Sequence, residues 1–511
     1  MFHPVHEMSK VFNGNGHGNG ANGLLLQPKK RGAKPPAAAP LSDVKESQVT
    51  FQTMEGVELH GTLVRVTRHG AVFELYNPGI APRLSEVLGG FQIILQGRTI
   101  YSGRAVVSNI VDAGSKVVCE AKLDDPGVHA GINMPFNGNI SLLDAYHTFF
   151  DKWQNQTKLL PEFKMVVLDL QSYLSDLKLL LEQVEISITA HPSRNRSELE
   201  PEVFKDLAPV ILSSMDTLRE RLLDIAGRIQ PDLYVAHQAF MQRQLHPLFL
   251  CAPFGHRTYH KPLGYAGDYG MMNMIHRNTF EGGSLYAKMM HYWLVNQAPA
   301  KSVRNRVAHI KTKLIEETAR VVREKRAARI LNLGCGPAYE VKEFMSEHRL
   351  ADHAEFTLLD FNTETLDYVT STLGEIKTRY KRHTRIQIQQ TSVTQLIKNS
   401  LSSSHSSLGS NFDLIYCGGL FDYLPDQMCR QLVGLFYEHL APDGLVVTAN
   451  MDDKVPFRQM LEFLLDWHLI YRDARCLSSF VPDNAPSDSW SVITEPVAVN
   501  LFLEVRKPKT N

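Results

Sequence analysis

The chain has 511 residues, of which 43% are hydrophobic and 21% charged, a length and composition that suit about three domains with buried cores. It carries 54 basic and 54 acidic side chains, so a net charge of zero argues against nucleic acid or an anionic membrane as a partner. Its six cysteines show no metal-binding spacing, which favours reduced thiols in a cytoplasmic protein. Without an apolar run of about 18 residues or a signal-peptide core, the sequence predicts no membrane span.

The N-terminal part of the chain changes character near residue 43. Glycine, asparagine, proline and lysine dominate residues 1–42, and this composition predicts a disordered leader. Short alternating apolar runs then follow one another between Gln48 and Lys122, which predicts a small antiparallel β-barrel or sandwich over residues 43–135. The barrel resembles a PilZ domain, a family that often binds cyclic di-GMP. Its turn Arg65-Val-Thr-Arg-His-Gly70 keeps the hydroxyl and glycine of that family's D-x-S-x-x-G motif but lacks the acid, so a scaffold or dimerisation role competes with nucleotide binding.

Residues 136–252 are predicted to form a helical domain. Val166, Leu170, Leu174, Leu177 and Leu181 recur at spacings of three and four, which places them in one apolar stripe on a helix. Such a stripe is typical of a domain core or of a homodimer interface.

Residues 253–300 are predicted to form a lid or connector. The segment from 254 to 270 combines glycines with aromatic and charged residues, a mixture that suits a loop covering a substrate. Within it, Arg257 and Lys261 are candidates for pairing with an anionic substrate. Tyr265 and Asp268 are candidates for fixing a hydroxyl group or the amino-acid end of a cofactor.

The pattern with the most chemical content begins at Ile330. An apolar run ends in the glycine turn Gly334-Cys-Gly336, a helix-compatible segment follows, and a second apolar run closes at Asp360. A strand, a glycine turn, a helix, a strand and an acid in this order predict a nucleoside-binding βαβ unit, with the carboxylate on the ribose. The third glycine of G-x-G-x-x-G would fall at position 339, where the chain has Tyr339, so the turn lacks the pattern that cradles a pyrophosphate.

Three further predicted strands, at 385–390, 411–417 and 444–450, complete an α/β sheet. With the glycine turn, Asp360 and the Phe412-Asp-Leu414 strand, they resemble the class I S-adenosylmethionine-dependent methyltransferases over residues 301–511. This resemblance implies a Rossmann-like sheet and S-adenosylmethionine as cofactor. The cofactor-binding residues that it implies are Gly334, Cys335, Gly336, Asp360, Phe361, Ser392, Val393, Cys417 and Gly418.

The acceptor side is predicted from the stretches that follow the fourth and fifth strands. The lid segment 261–268, the stretch 419–424 and the stretch 466–472 together resemble bacterial methyltransferases that make 3-hydroxypalmitic acid methyl ester, a quorum-sensing signal. This resemblance implies O-methylation of the carboxyl group of a 3-hydroxy fatty acid or its acyl derivative. The candidate catalytic residues are Tyr265, Asp268, Tyr423 and Arg472, and the candidate substrate-binding residues are Arg257, Lys261, Asn450 and Trp467.

Two other functions stay open at the level of sequence. One is methylation of another small molecule of secondary metabolism, such as an amine, for which Asp268 or Asp422 would take the proton. The other is a regulatory protein in which the barrel senses a nucleotide and the methyltransferase fold is a scaffold. Nucleic-acid methylation is disfavoured by the neutral charge and by the lack of an N-P-P-Y motif after the fourth strand.

Overall fold

A computed structural model describes residues 47–66, 70–76, 81–95, 98–112, 116–124, 147, 150, 159–191, 194–401, 409–455 and 457–509. The predicted leader (1–42) and residues 67–69 of the barrel turn lie outside these ranges. All described residues belong to one unit, Glu46–Asn511, and the domain boundaries drawn within it from the sequence stay predictions.

Six antiparallel strands close into the small barrel that the alternating pattern predicts. They are β1 (Ser47–Gln52), β2 (Glu58–Val66), β3 (Gly70–Tyr76), β4 (Val87–Leu95), β5 (Arg98–Asp112) and β6 (Lys116–Leu123). Their order is β1-β2-β3-β6-β5-β4, and β4 pairs back onto β1. Inward-facing rings of Phe51, Phe73, Phe91 and Tyr101 fill the interior, with neighbouring centroids 5.4 to 6.2 Å apart. The barrel is confirmed, while its likeness to a PilZ domain stays a prediction.

Seven helices follow between the barrel and the large sheet, within the described ranges. They are α1 (Pro161–Thr189), α2 (Arg196–Ala226), α3 (Tyr234–Phe249), α4 (Pro253–His260), α5 (Tyr269–Arg277), α6 (Leu285–Val295) and α7 (Ala298–Val322). The predicted stripe on α1 is buried, since Val166, Leu170 and Leu174 are each at most 2% exposed. These side chains join a core that extends through α2, α3 and α6.

A seven-stranded sheet with flanking helices forms the rest of the chain. Its elements are β7 (Ala328–Leu333), α8 (Tyr339–Glu347), β8 (Ala354–Asp360), α9 (Thr363–Arg379), β9 (Arg385–Gln390), α10 (Val393–Leu401), β10 (Phe412–Cys417), α11 (Asp426–His439), β11 (Leu440–Met451), α12 (Arg458–Leu465), α13 (Ala474–Ser478), β12 (Trp490–Thr494) and β13 (Asn500–Arg506). The strand order is β12-β13-β11-β10-β7-β8-β9, with β7 to β11 parallel and β13 antiparallel to both of its neighbours. The predicted α/β sheet is confirmed.

The topology of this sheet fixes where a ligand can bind. From β7 the chain adds β8 and β9 on one side, then returns to place β10 and β11 on the other. Connections therefore diverge between β7 and β10, and a crevice opens beyond the carboxyl ends of these two strands.

Among the described helices, none combines the length and the apolar character that a membrane-spanning helix requires.

Candidate functional site

A cavity of about 160 Å³ lies at the divergence point of the sheet. Five parts of the chain contribute to its wall: the β7–α8 turn and strand ends of the sheet, the lid segment, α7, the segment after α12 and the barrel. The residues used below are Met54, Arg83, Tyr265, Met272, Val303, Arg306, Val307, the turn from Gly334 to Glu340, Asp360, Phe361, Val393, Gly418, Gly419, Asp422, Tyr423 and Trp467.

The glycine turn after β7 bends back over the end of β8 and leaves room on its concave side. The N–H groups of Gly334 and Cys335 both donate to the Leu359 carbonyl, at 2.8 and 3.0 Å. Gly336 has a φ of +49°, and a Cβ placed there would meet no protein atom within 4 Å. Ala338, with a φ of +48°, adopts the left-handed conformation that a third glycine would favour. The turn thus presents backbone to a ligand in the cavity.

Asp360 ends β8 beside this turn. Its side chain accepts hydrogen bonds from the Gly336 N–H at Oδ2 and from the Asn362 N–H at Oδ1, each at 3.0 Å. Burial raises the pKa of Asp360, and these backbone N–H donors act in the opposite direction. Because a carboxylate oxygen has two lone pairs, each oxygen keeps capacity for one further donor. The pair of oxygens therefore suits a ligand with two adjacent hydroxyl groups, such as a ribose.

Phe361, next along the chain, gives the same end of the cavity an aromatic face. The Tyr265 ring meets it edge-on at a centroid distance of 5.1 Å. The guanidinium carbon of Arg83, from the barrel, lies 5.2 Å from the Phe361 centroid. With Val393 also in the wall, this end offers an apolar and aromatic environment for a nucleobase.

The opposite end of the cavity holds one cation and one acid. Arg306 on α7 reaches Gly419, where its Nη2 lies 3.0 Å from the position of an added Cβ. It makes no hydrogen bond or ion pair with any residue that the structure describes. Glu340 accepts from Asn332 Nδ2 at 3.1 Å and from the Tyr416 hydroxyl at 2.8 Å. Burial raises the pKa of Glu340, against the opposing effects of the Tyr416 hydrogen bond and the Arg306 charge.

Asp422 and Tyr423, which follow β10, form part of the cavity wall together with Trp467, which follows α12. Trp467 Nε1 donates to the Tyr423 hydroxyl oxygen at 2.8 Å, which leaves the hydroxyl proton of Tyr423 free to be donated. Burial raises the pKa of Tyr423 and keeps this hydroxyl protonated. Asp422 Oδ1 accepts from the Met451 N–H at 2.7 Å, and burial also raises the pKa of this carboxyl.

The structure brings together ten of the seventeen residues predicted from the sequence. Those in the cavity wall are Gly334, Cys335, Gly336, Asp360, Phe361, Val393, Gly418, Tyr265, Tyr423 and Trp467. Those outside it are Ser392, Cys417, Asp268, Arg472, Arg257, Lys261 and Asn450.

Arg472 and Asn450, predicted at the substrate, lie outside the wall of this cavity, and hydrogen bonds within the protein engage both side chains. Arg472 is 2% exposed, and its guanidinium donates to the carbonyls of Phe421 and Leu424 and to Asn450 Oδ1. Asn450 in turn donates to the Ile470 carbonyl at 2.9 Å. These two side chains hold the segment after β10 in place and do not face the cavity.

The cations and the acid predicted in the lid are likewise engaged within the protein. Arg257 Nε donates to Asp268 Oδ1 at 2.7 Å, and the same carboxylate accepts the Met271 N–H at the start of α5. Lys261 is 2% exposed and donates to the Leu465 carbonyl, while burial lowers its pKa to about 7. Arg257, Lys261 and Asp268 therefore stabilise the lid instead of lining the cavity.

Ser392 and Cys417, predicted at the cofactor, also point elsewhere. The Ser392 hydroxyl accepts the Gln395 N–H at 3.2 Å and so supports the start of α10. Cys417, the last residue of β10, is fully buried in the apolar core between the sheet and α11. Their neighbours Val393 and Gly418 reach the cavity instead.

Three charged wall residues were not predicted: Arg306, Glu340 and Arg83. Arg306 stands three residues after the buried Val303 and four before the buried Ile310. A cation on the buried face of an amphipathic helix was a usable sequence signal. Glu340, close after the glycine turn, reads locally as an ordinary acid in the first turn of a helix. Arg83 carries no local signal, because its position depends on how the barrel packs.

No protein-family model matches the sequence, and no curated protein matches it. Solved structures do resemble this chain. A "possible exported protein" from Bordetella parapertussis covers 60% of this chain and 98% of its own at 15% identity, with a TM-score of 0.36. The N-methyltransferase NodS from Bradyrhizobium japonicum, in complex with S-adenosyl-l-homocysteine, covers 40% of this chain and 87% of its own at 15% identity, with a TM-score of 0.26. Magnesium protoporphyrin IX methyltransferase from Synechocystis covers 46% of this chain and 93% of its own at 11% identity, with a TM-score of 0.28.

Proposed function

We propose that this chain is an S-adenosylmethionine-dependent methyltransferase. The observation that carries the proposal is the buried Asp360 carboxylate, which is held by the Gly336 and Asn362 N–H groups beside a glycine turn that opens into the cavity. An acid in this place suits a ribose, and the absence of a third glycine argues against a dinucleotide. The strand order of the sheet also agrees with the class I methyltransferase resemblance.

The rest of the wall fits the other parts of this cofactor. Phe361 and Val393 would pack against the adenine, and Asp360 would accept from the ribose hydroxyls. The methionine end is a zwitterion, and the opposite end of the cavity offers Arg306 for its carboxylate and Glu340 for its ammonium. Since Arg306 has no partner among the described residues, a bound carboxylate would give it one.

The chemistry that the bound cofactor supplies is an electrophilic methyl group on a sulfonium. The chain's own residues then have to align the acceptor and exclude water, and good alignment contributes on the order of 7 to 11 kcal/mol. Tyr423 can donate its free hydroxyl proton to an acceptor, and the Trp467 hydrogen bond fixes its orientation. Tyr265 covers the cavity from the lid side.

For the acceptor, we propose the carboxyl group of a 3-hydroxy fatty acid, with a methyl ester signal for quorum sensing as product. A carboxylate is nucleophilic without a general base, and this agrees with a Tyr423 hydroxyl that stays protonated. Apolar wall residues, Val303, Val307 and Met272, suit the start of an acyl chain. The choice of a 3-hydroxy fatty acid as the acceptor depends on the resemblance carried by the stretches 261–268, 419–424 and 466–472.

Asp422 supports a second candidate, methylation of an amine or a phenol. Its carboxyl group is in the cavity wall, and burial raises its pKa toward the range in which a carboxylate accepts a proton efficiently. Asp422→Asn separates the two candidates. Turnover of an amine or phenol should fall at least about a hundredfold, whereas turnover of a carboxylate should stay within a few fold.

We further propose that the protein is a cytoplasmic homodimer. Met165, Leu179 and Ile186 on α1 are 64, 58 and 68% exposed, at spacings that put them on one side of the helix. A second copy of α1 would cover them. Light scattering on the wild type and on a Leu179→Glu variant tests this: a dimer that becomes a monomer supports the interface.

The function is tested by two measurements on the purified full chain. Calorimetry with S-adenosylhomocysteine should detect binding that Asp360→Ala abolishes without loss of the folded state. Incubation with S-adenosylmethionine and either 3-hydroxypalmitate, palmitate or a simple amine or phenol should then give a product heavier by one CH₂, detected by mass spectrometry. A wild type that binds cyclic di-GMP but not S-adenosylhomocysteine would instead identify a nucleotide-sensing scaffold protein.

A further inference from the structure

Two loops of the barrel reach the cavity wall, one between β1 and β2 and the other between β3 and β4. Met54 and Arg83, both from the barrel, line the cavity, although they precede the sheet by more than two hundred residues. Arg83 lies with its guanidinium carbon 5.2 Å from the centroid of Phe361, the residue that follows the ribose-binding Asp360. The barrel thus closes the nucleoside end of the cavity.

Arg83 is held in this position by other barrel residues. Its Nη2 donates to Glu55 Oε1 at 2.7 Å, and only 12% of each side chain is exposed. The Arg83 N–H and the Met54 N–H both donate to the buried carboxylate of Glu86, at 2.6 and 2.7 Å. Met54 and Arg83 are therefore both fixed by a single acid before any ligand binds.

The barrel is also bonded directly to the segments that form the remaining wall. The Ser85 hydroxyl donates to the His468 carbonyl at 2.8 Å and accepts the His468 N–H at 2.6 Å. The Val87 N–H donates to the Gly264 carbonyl of the lid at 2.6 Å. Lys122 pairs with Asp466 at 2.7 Å, and Asp466 is fully buried. These contacts flank Tyr265 and Trp467, so a shift of the barrel would move two parts of the cavity wall.

We infer that the N-terminal barrel is a working part of the cofactor site, with Arg83 as a binding residue that packs over Phe361 and encloses the adenosine moiety. This inference rests on the proposed function and adds a residue and a domain to it. A guanidinium is planar and has a delocalised charge, so it can cover an aromatic ring and a nucleobase at the same time. Its charge also faces Asp360, whose pKa is lowered by Arg83 as a minor contribution against the larger effect of burial.

The test is calorimetry of the full-length Arg83→Ala variant with two ligands, S-adenosylhomocysteine and 5′-methylthioadenosine. The second ligand keeps the adenosine but lacks the amino-acid end. Loss of a contact to the adenosine should weaken both ligands by the same factor, about tenfold. Arg65→Ala is the matched control, since Arg65 lies on the same barrel with a side chain that is 66% exposed, and its affinities should equal those of the wild type.

Arg83→Lys keeps a cation for Glu55 but removes the planar group, and it serves if Arg83→Ala does not fold. It should weaken both ligands by about threefold or more. The inference is overturned if Arg83→Ala, or Arg83→Lys in its place, binds both ligands within twofold of the wild type while Asp360→Ala loses binding. That outcome leaves the proposed function intact. A wild type that binds neither ligand refutes the proposed function and this inference together.

Discussion

Replacing Lys122 with Met tests whether the barrel is joined to the rest of the chain by a buried charge pair. Asp466 Oδ1 accepts from Lys122 Nζ, Gln238 Nε2 and Gln242 Nε2 at 2.7, 2.7 and 3.0 Å. Burial by itself would raise the pKa of Asp466, yet Lys122 and then Lys261 outweigh it and lower the pKa to about 2. The difference from the ordinary value of 3.8 corresponds to about 2 kcal/mol of stabilisation of the native state at neutral pH.

Loss of one partner from a buried ion pair costs about 3 to 5 kcal/mol. Because Lys261 and two glutamines stay beside Asp466, we expect the lower end, about 3 kcal/mol, from Lys122→Met. Urea unfolding followed by tryptophan fluorescence measures this change in the free energy of unfolding, since Trp467 is adjacent to Asp466 in the sequence. This stability is present above the unfolded pKa of about 4 and is lost as the pH falls toward 2, so the wild type and the variant should converge in acid.

A double-mutant cycle with Asp466→Asn isolates the pair from the effect of each change alone. We expect a coupling free energy of about 2 kcal/mol. Lys116→Met is the matched control, because Lys116 lies on the same strand, and its pair with Glu74 is more exposed. It should cost less than about 1 kcal/mol. A coupling energy below about 0.5 kcal/mol between Lys122 and Asp466 would refute the reasoning.

Three further substitutions test the loop before β4 and the cavity wall. Burial raises the pKa of Glu86 to about 7, so between pH 4.5 and 7 the native state keeps a proton that the unfolded chain has released. The contribution of Glu86 to the free energy of unfolding should therefore fall by about 3 kcal/mol over this range. Urea unfolding should show a smaller fall for Glu86→Gln than for the wild type, and an equal fall would contradict the assignment. Tyr423→Phe should lower turnover about tenfold or more with unchanged affinity for S-adenosylhomocysteine, and normal turnover would remove Tyr423 from the acceptor site. Arg306→Ala should weaken S-adenosylhomocysteine about thirtyfold but leave 5′-methylthioadenosine unaffected, and equal losses for both ligands would place Arg306 elsewhere.

Most residues predicted for the cofactor do line the cavity, because the sequence signals for this part of the wall are local. A glycine turn between a strand and a helix, with Asp360 at the end of the next strand, fixes its own geometry through the βαβ connection. The structure accordingly places Gly334, Gly336 and Asp360 around one cavity. Even here the sequence pattern locates the wall residues only to within about one position. Val393 and Gly418 line the cavity, whereas their neighbours Ser392 and Cys417 lie outside its wall.

Fewer of the residues predicted for the acceptor line the cavity, because residue type alone does not say which partner a side chain meets. Arg257, Lys261 and Arg472 were chosen as cations in loops near the crevice. In the fold each is buried or paired with groups of the protein: Asp268 for Arg257, the Leu465 carbonyl for Lys261 and the Phe421 carbonyl for Arg472. A buried cation without such partners would be unstable, so those that survive in loops next to a core are commonly structural. Arg306 is the informative exception, since it faces the cavity from a helix.

The contribution of the barrel follows from contacts between residues far apart in sequence, and no local pattern records them. Ser85 and His468 bond across 383 positions, and Lys122 and Asp466 across 344. Since these bonds and the Arg83 contact with Phe361 belong to the same interface, a ligand that binds only the closed cavity would also stabilise the docked barrel. By the same linkage, Lys122→Met should weaken cofactor binding even though Lys122 lies outside the cavity wall, provided that it shifts the barrel toward an undocked state. Cofactor affinity and barrel docking are then two measures of one equilibrium.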